Sequence, residues 1–123
     1  MTQEDKKLLL IDLCGRLPYD FKVSYYDPEE DCEVINIVDD ISSYGYVGLE
    51  CDYSLTIESI KPYLFPMSSM TEEQEEELRK LCTFNCLDYL TLEAVDWLNA
   101  HHFDFRGLIE KGLAIDCTNL NIY

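Results

Sequence analysis

Basic residues are scarce in this 123-residue chain and are missing altogether from one long part of it. Nine lysines and arginines stand against 25 aspartates and glutamates, so the formal net charge is −16 at pH 7. Affinity for nucleic-acid phosphates and for anionic membranes depends on basic side chains, so the composition argues against binding either directly. The sequence from Val23 to Ile60 contains no lysine or arginine. Ten acidic residues occupy it: Asp27, Glu29, Glu30, Asp31, Glu33, Asp39, Asp40, Glu50, Asp52 and Glu58.

Long apolar runs and paired cysteines are also missing. The longest apolar run, Leu8 to Ile11, is far shorter than the roughly 20 residues of a membrane-spanning helix. The N-terminus MTQEDKK has no apolar signal core behind it, so we expect a soluble, cytoplasmic protein. The six cysteines form no CxxC pair, which favours free, buried thiols over disulfides or metal ligands. The chain also lacks a phosphate-binding loop and a dinucleotide fingerprint, and we expect no metal and no cofactor.

The apolar spacing predicts helices at the two ends of the chain. A first helix is expected from about Glu4 to Cys14, capped by Thr2 and ended by Gly15. A second helix should begin after Thr71, whose capping box is completed by the glutamine three residues later. A third is expected from about Leu92 to His101, capped by the preceding threonine, followed by a glycine-bounded turn and an extended tail.

From Phe21 to Ile60 the period of the apolar residues changes to two, which predicts four short strands joined by tight turns. One of the bends is expected at Asp52-Tyr53. The next segment, KPYLFPMSSM, is expected to be an ordered linker, because its two prolines should end the sheet. The predicted fold is a single α+β domain over residues 1–123. Its antiparallel sheet of four to five strands, open or barrel-like, packs against an N-terminal helix and C-terminal helices.

The stretch WLNAHHFDFRGLIEKGLAID concentrates the candidate site residues, which are Trp97, His101, His102, Asp104 and Arg106. Adjacent histidines on a helix point about 100° apart, and no HExxH spacing is present, so a shared metal ion is not indicated. The simpler interpretation is that one histidine packs while the other caps the third helix. No cysteine stands in a nucleophile signature, so no residue is assigned as catalytic.

Arg106 is one of the few basic residues, and it follows the aromatic residues Phe103 and Phe105. An arginine in such an acidic chain most often forms an internal ion pair or stacks on a ring. Asp104 and Asp116 are its candidate partners. A role in substrate binding is the alternative.

Three segments carry a resemblance to a protein family: LLLIDLCGRLPY, PYLFPMSSMTEEQ and DWLNAHHFDFRGLIEKGLAID. Together they cover close to half of the chain, and they resemble small acidic proteins of gut Bacteroides-type bacteria and of their phages or mobile elements. The resemblance implies a bacterial cytoplasmic context, and it transfers no role to any position. The acidic strand region lies outside it.

Two functional hypotheses follow from the sequence. The first is a non-enzymatic interaction module that binds another protein through its acidic sheet face or its aromatic C-terminal block. In one version it mimics nucleic acid and occupies the basic groove of a nucleic-acid-binding protein. The second is an enzyme or ligand-binding protein that uses the neighbourhood of His101, His102, Asp104 and Arg106. The oligomeric state is left open.

Overall fold

The computed structural model describes residues 1–42, 44–50 and 54–123. Its helices are α1 (Gln3–Arg16), α2 (Glu72–Leu81) and α3 (Leu92–Ala100). Its strands are β1 (Lys22–Asp27), β2 (Cys32–Ile41), β3 (Tyr46–Leu49), β4 (Ser54–Thr56), β5 (Ile60–Pro66), β6 (Phe103–Asp104) and β7 (Ile115–Asp116). The α+β class is confirmed.

The strands form one open, mixed sheet in the order β4-β3-β2-β1-β5-β6, with β7 also paired to β5. The pairs from β4 to β5 are antiparallel, whereas β6 and β7 run parallel to β5. The predicted sheet of four to five antiparallel strands was therefore too small, and the barrel-like alternative was wrong. The strands that the four predicted ones leave out are β5, which has seven residues, and β6 and β7, which have two residues each. The predicted bend at Asp52-Tyr53 lies outside the described residues.

The segment expected to be a linker is instead the strand β5. Pro62 faces Val23 of β1, so proline does not end the sheet. The strand makes ladder bonds beyond Pro62: the Phe65 amide donates to the His102 carbonyl, and the Cys117 amide donates to the Leu64 carbonyl. Only two-residue strands cover this side of β5, which makes it nearly an edge strand, the setting in which a sheet tolerates proline.

Helix α1 begins as predicted but ends later. The Thr2 hydroxyl accepts from the Asp5 amide at 3.0 Å. Gly15, expected to end the helix, lies inside it, and a Cβ there would be 3.1 Å from the Asn99 side chain of α3. The glycine therefore allows two helices to approach closely, and the helix continues to Arg16.

The interior consists of two apolar clusters. The larger packs α1 against the sheet around fully buried residues such as Leu9, Leu13 and Phe21. The smaller lies between α2, α3 and β6, around Leu78 and Leu98. The predicted Thr71–Gln74 capping box is present, and Thr91 caps α3. None of the helices in the described part of the chain is long and apolar enough to cross a membrane.

Candidate functional site

The two histidines directly follow the last residue of α3, and their side chains have different partners. His101 is the C-cap residue, and its Nδ1 lies 2.9 Å from the Trp97 carbonyl oxygen. Its ring stacks on the Trp97 ring at a centroid distance of 4.1 Å. Trp97 is nearly buried, and its indole Nε1 donates to the Glu77 carboxylate at 3.2 Å. His101 therefore caps the helix, as the sequence suggested.

His102 packs, the role expected of the other histidine. Its backbone has φ +63°, and its ring stacks on Tyr123 at a centroid distance of 3.6 Å. Burial, with additional contributions from the positive charges of Arg16, His101 and Lys22, lowers the pKa of His102 to about 4. The ring is therefore neutral at pH 7.

Asp104 stabilises a turn. The side chain is 7% exposed, and its two oxygens accept from the backbone amides of Leu108 and Ile109, both at 2.9 Å. This carboxylate closes the glycine-bounded turn that returns the tail to the sheet. The hydrogen bonds of Asp104 within the described part of the chain go to these two amides and to neither histidine.

Arg106 pairs with Asp12 of α1, and the expected partners Asp104 and Asp116 were wrong. Its Nε lies 3.3 Å from the Asp12 carboxylate, which also binds Arg16. Its guanidinium lies 4.5 Å from the centre of the Phe105 ring, so the predicted aromatic contact is present. The partner was missed because Asp12 is distant in sequence and on another element.

A pocket of about 260 Å³ lies beside His101. It is lined by Phe65, Ser69, Gln74, His101, Phe103 and Thr118. Of this set, only His101 was predicted from the sequence, because Phe65, Ser69, Gln74 and Thr118 lie far from it along the chain. His102, Asp104 and Arg106 do not line it. The five candidate residues are thus divided among a helix cap, a ring stack, a turn and an ion pair.

The ten acidic residues between Val23 and Ile60 form the predicted acidic face, and those that the structure describes lie mostly near the ends of strands. Asp27 is half-buried, and the other described members are exposed, while Asp52 lies outside the described residues. The exposed members lie at the β1–β2 hairpin (Glu29, Glu30, Asp31, Glu33), near the irregularity of β2 (Asp39, Asp40), after β3 (Glu50) and in a turn before β5 (Glu58). Of the described members of this set, Glu58 forms an ion pair, with Lys6 at 2.5 Å.

Within residues 1–42, 44–50 and 54–123, no group of three His, Cys, Asp or Glu side chains is placed to hold a metal ion. No family model, no curated protein and no solved structure matches the chain. The resemblance to small acidic bacterial and phage proteins stays a prediction.

Proposed function

We propose that the chain is a non-enzymatic protein-interaction module whose partner presents a basic surface. The observation that carries the proposal is the acidic end of the β1–β2 hairpin, which we define as residues 27–33. Five carboxylates lie within these seven residues: Asp27, Glu29, Glu30, Asp31 and Glu33. None of them forms an ion pair within the described part of the chain.

Like charges held close together repel, and a basic partner surface would relieve that repulsion. Two apolar side chains flank the hairpin end, Tyr26 at 49% exposure and Ile35 at 48%. Charge sets the specificity and association rate of an interface more than its affinity. An interface therefore also needs apolar contact area, which these two side chains offer. The combination favours a protein surface over a free cation as the ligand.

The hairpin end is held by its own hydrogen bonds. The Glu29 amide donates to the Asp27 carboxylate at 2.9 Å, and the Tyr26 hydroxyl donates to Asp31. The Ser24 hydroxyl donates to Glu33 across the strands at 2.9 Å. A surface ordered before binding loses less conformational entropy when it binds, which supports recognition.

A nucleic-acid-binding protein is one partner of this kind, and the mimic hypothesis belongs to the same proposal. The cell compartment we propose is the cytoplasm of a bacterium, in a phage or mobile-element context. The enzyme hypothesis built on His101, His102, Asp104 and Arg106 has less support, because each of these side chains has a separate structural partner.

The test is a pull-down from a bacterial lysate, followed by mass spectrometry, with two variants of equal charge. Glu29→Gln, Glu30→Gln and Asp31→Asn neutralise the hairpin end, and Glu72→Gln, Glu73→Gln and Glu76→Gln neutralise an exposed face of α2. A partner should be retained at low salt, released at high salt, and lost with the hairpin variant only. Equal loss with both variants, or no partner at low salt, would contradict the proposal.

A further inference from the structure

The pocket beside His101 presents hydrogen-bonding groups whose roles are set by their partners within the protein. The Trp97 carbonyl oxygen can only accept, so Nδ1 of His101 is the donor in their 2.9 Å hydrogen bond. In the neutral ring, Nε2 then carries a lone pair and acts as an acceptor. The Trp97 stack holds the ring in place.

Gln74 contributes hydrogen-bond donors to the same pocket, where His101 contributes an acceptor. Its Oε1 accepts from the Thr71 amide at 2.9 Å in the capping box. This bond identifies which end of the side-chain amide is oxygen. The other end is an NH₂ group, and it has no hydrogen-bond partner within the described part of the chain. Gln74 therefore contributes two unused donors to the lining.

The two hydroxyl groups of the lining act as acceptors. The Ser69 hydroxyl donates to the Pro66 carbonyl at 2.7 Å, and the Thr118 hydroxyl donates to the Asp116 carboxylate at 2.5 Å. Each hydroxyl has used its only hydrogen, and its oxygen lone pairs are left to accept. The lining contains no lysine or arginine, and the chain carries a charge of −16, so an anionic ligand is disfavoured.

The walls and the size of the pocket restrict the ligand further. Phe65 and Phe103 line it with rings 5.9 Å apart and tilted by 50°, and the partly exposed Phe65 ring offers an apolar surface to a planar ring. The volume of about 260 Å³ is below the ~300 Å³ at which sites for drug-sized ligands begin. A single small ring fits this space.

We propose that this pocket binds a small nitrogen heterocycle of the aminopyrimidine class. An exocyclic amino group would donate to Nε2 of His101, and a ring nitrogen or carbonyl oxygen would accept from the Gln74 amide. The inference is independent of the proposed protein partner, because no residue of the hairpin end lines the pocket.

The test is an NMR titration of the full chain with cytosine, and with pyrimidine as the probe that lacks both the amino group and the carbonyl oxygen. Cytosine should shift the amide signals of Gln74, His101 and Phe103 and saturate them at concentrations of about 1 mM, as expected for a ligand of this size. Pyrimidine should bind at least about tenfold more weakly. Equal binding of the two probes, or no shift of these signals at about 10 mM cytosine, would overturn the proposal.

Two variants separate recognition from simple filling of the pocket. Gln74→Glu keeps an oxygen for the Thr71 amide but replaces the donor with a carboxylate, and His101→Phe keeps a ring on Trp97 but removes the acceptor. Each should weaken cytosine binding at least about tenfold. Gln3→Glu is the control, because it adds the same charge at an exposed position outside the pocket. An equal effect of Gln3→Glu and Gln74→Glu would overturn the assignment of Gln74.

Discussion

Arg16 donates hydrogen bonds to both carboxylate oxygens of Asp12 one helical turn earlier, at 2.7 and 3.1 Å, and neither side chain is exposed to solvent. Arg16 also donates to the Phe103 carbonyl at 2.6 Å, which joins α1 to β6. Arg106 reaches the same carboxylate from the C-terminal turn. One aspartate therefore binds two arginines, and through Arg16 the cluster joins α1, β6 and the C-terminal turn.

The substitution Asp12→Ala should destabilise the fold strongly. It leaves the Arg16 guanidinium buried without a counter-charge, and breaking one partner of a buried pair typically costs about 3–5 kcal/mol. Urea unfolding followed by circular dichroism would measure the change in the free energy of unfolding.

The matched control is a second ion pair at the same spacing. Arg79 and Glu75 are joined at 2.7 Å on α2, with side chains 40% and 43% exposed. Arg79→Ala should cost only about 0.3–0.5 kcal/mol, as for exposed helix pairs. If Asp12→Ala costs no more than this, burial does not determine the strength of the first pair.

His102 should make the stability depend on pH. Burial holds the pKa of His102 at about 4, below its ordinary 6.5, so the unfolded chain binds a proton that the folded chain does not between these pH values. The contribution of His102 is therefore fully present above pH 6.5 and is lost as the pH falls towards 4. Chemical unfolding of the native chain across this range would measure it.

The comparison variant is His102→Asn, because asparagine tolerates the left-handed backbone at φ +63° and does not titrate. The substitution removes the stack on Tyr123 and lowers stability above pH 6.5, where the imidazole is neutral in both states. The difference in unfolding free energy between the native chain and the variant should shrink as the pH falls from 6.5 to 4. A difference that stays constant over this range would contradict the lowered pKa.

The features that the sequence predicted well are local. Thr2, Thr71 and Thr91 cap their helices with hydrogen bonds to amides three residues ahead, so the pattern and the contact lie in the same few residues. The period of two likewise placed Val23 and Tyr25 on one face of β1, and both are nearly fully buried, although Ser24 between them is buried as well.

The features that were missed depend on contacts between distant segments. Gly15 matches the pattern of a helix end, but the approach of Asn99 gives it a different role. Pro62 is compatible with a strand here because β5 is covered on one side only by short strands formed far along the chain. The same β5–β6 pairing brings Ser69 and Gln74 to the pocket of His101, and no spacing in the sequence indicates that set.

Asp104 should stabilise the fold through the turn that its carboxylate closes. Asp104→Ala removes the acceptor for the Leu108 and Ile109 amides, and leaving such buried groups unpaired costs about 1–3 kcal/mol. Asp104→Asn keeps one oxygen and should lose less. Thermal unfolding of the two variants would give this order. Equal stability of all three proteins would show that the turn does not depend on this carboxylate.

The cysteines should divide into reactive and protected thiols. Burial raises the pKa of Cys117 to about 11 and also raises that of Cys82, so neither forms the nucleophilic thiolate readily. Cys14 and Cys32 are exposed, so the expectation of buried thiols was wrong for these two residues. Brief alkylation of the native chain at pH 8, followed by peptide mass spectrometry, should modify Cys14 and Cys32 and leave the two buried thiols intact. Denaturant should make the buried thiols react as well. Rapid modification of Cys117 in the native chain would contradict the burial of the tail against β5.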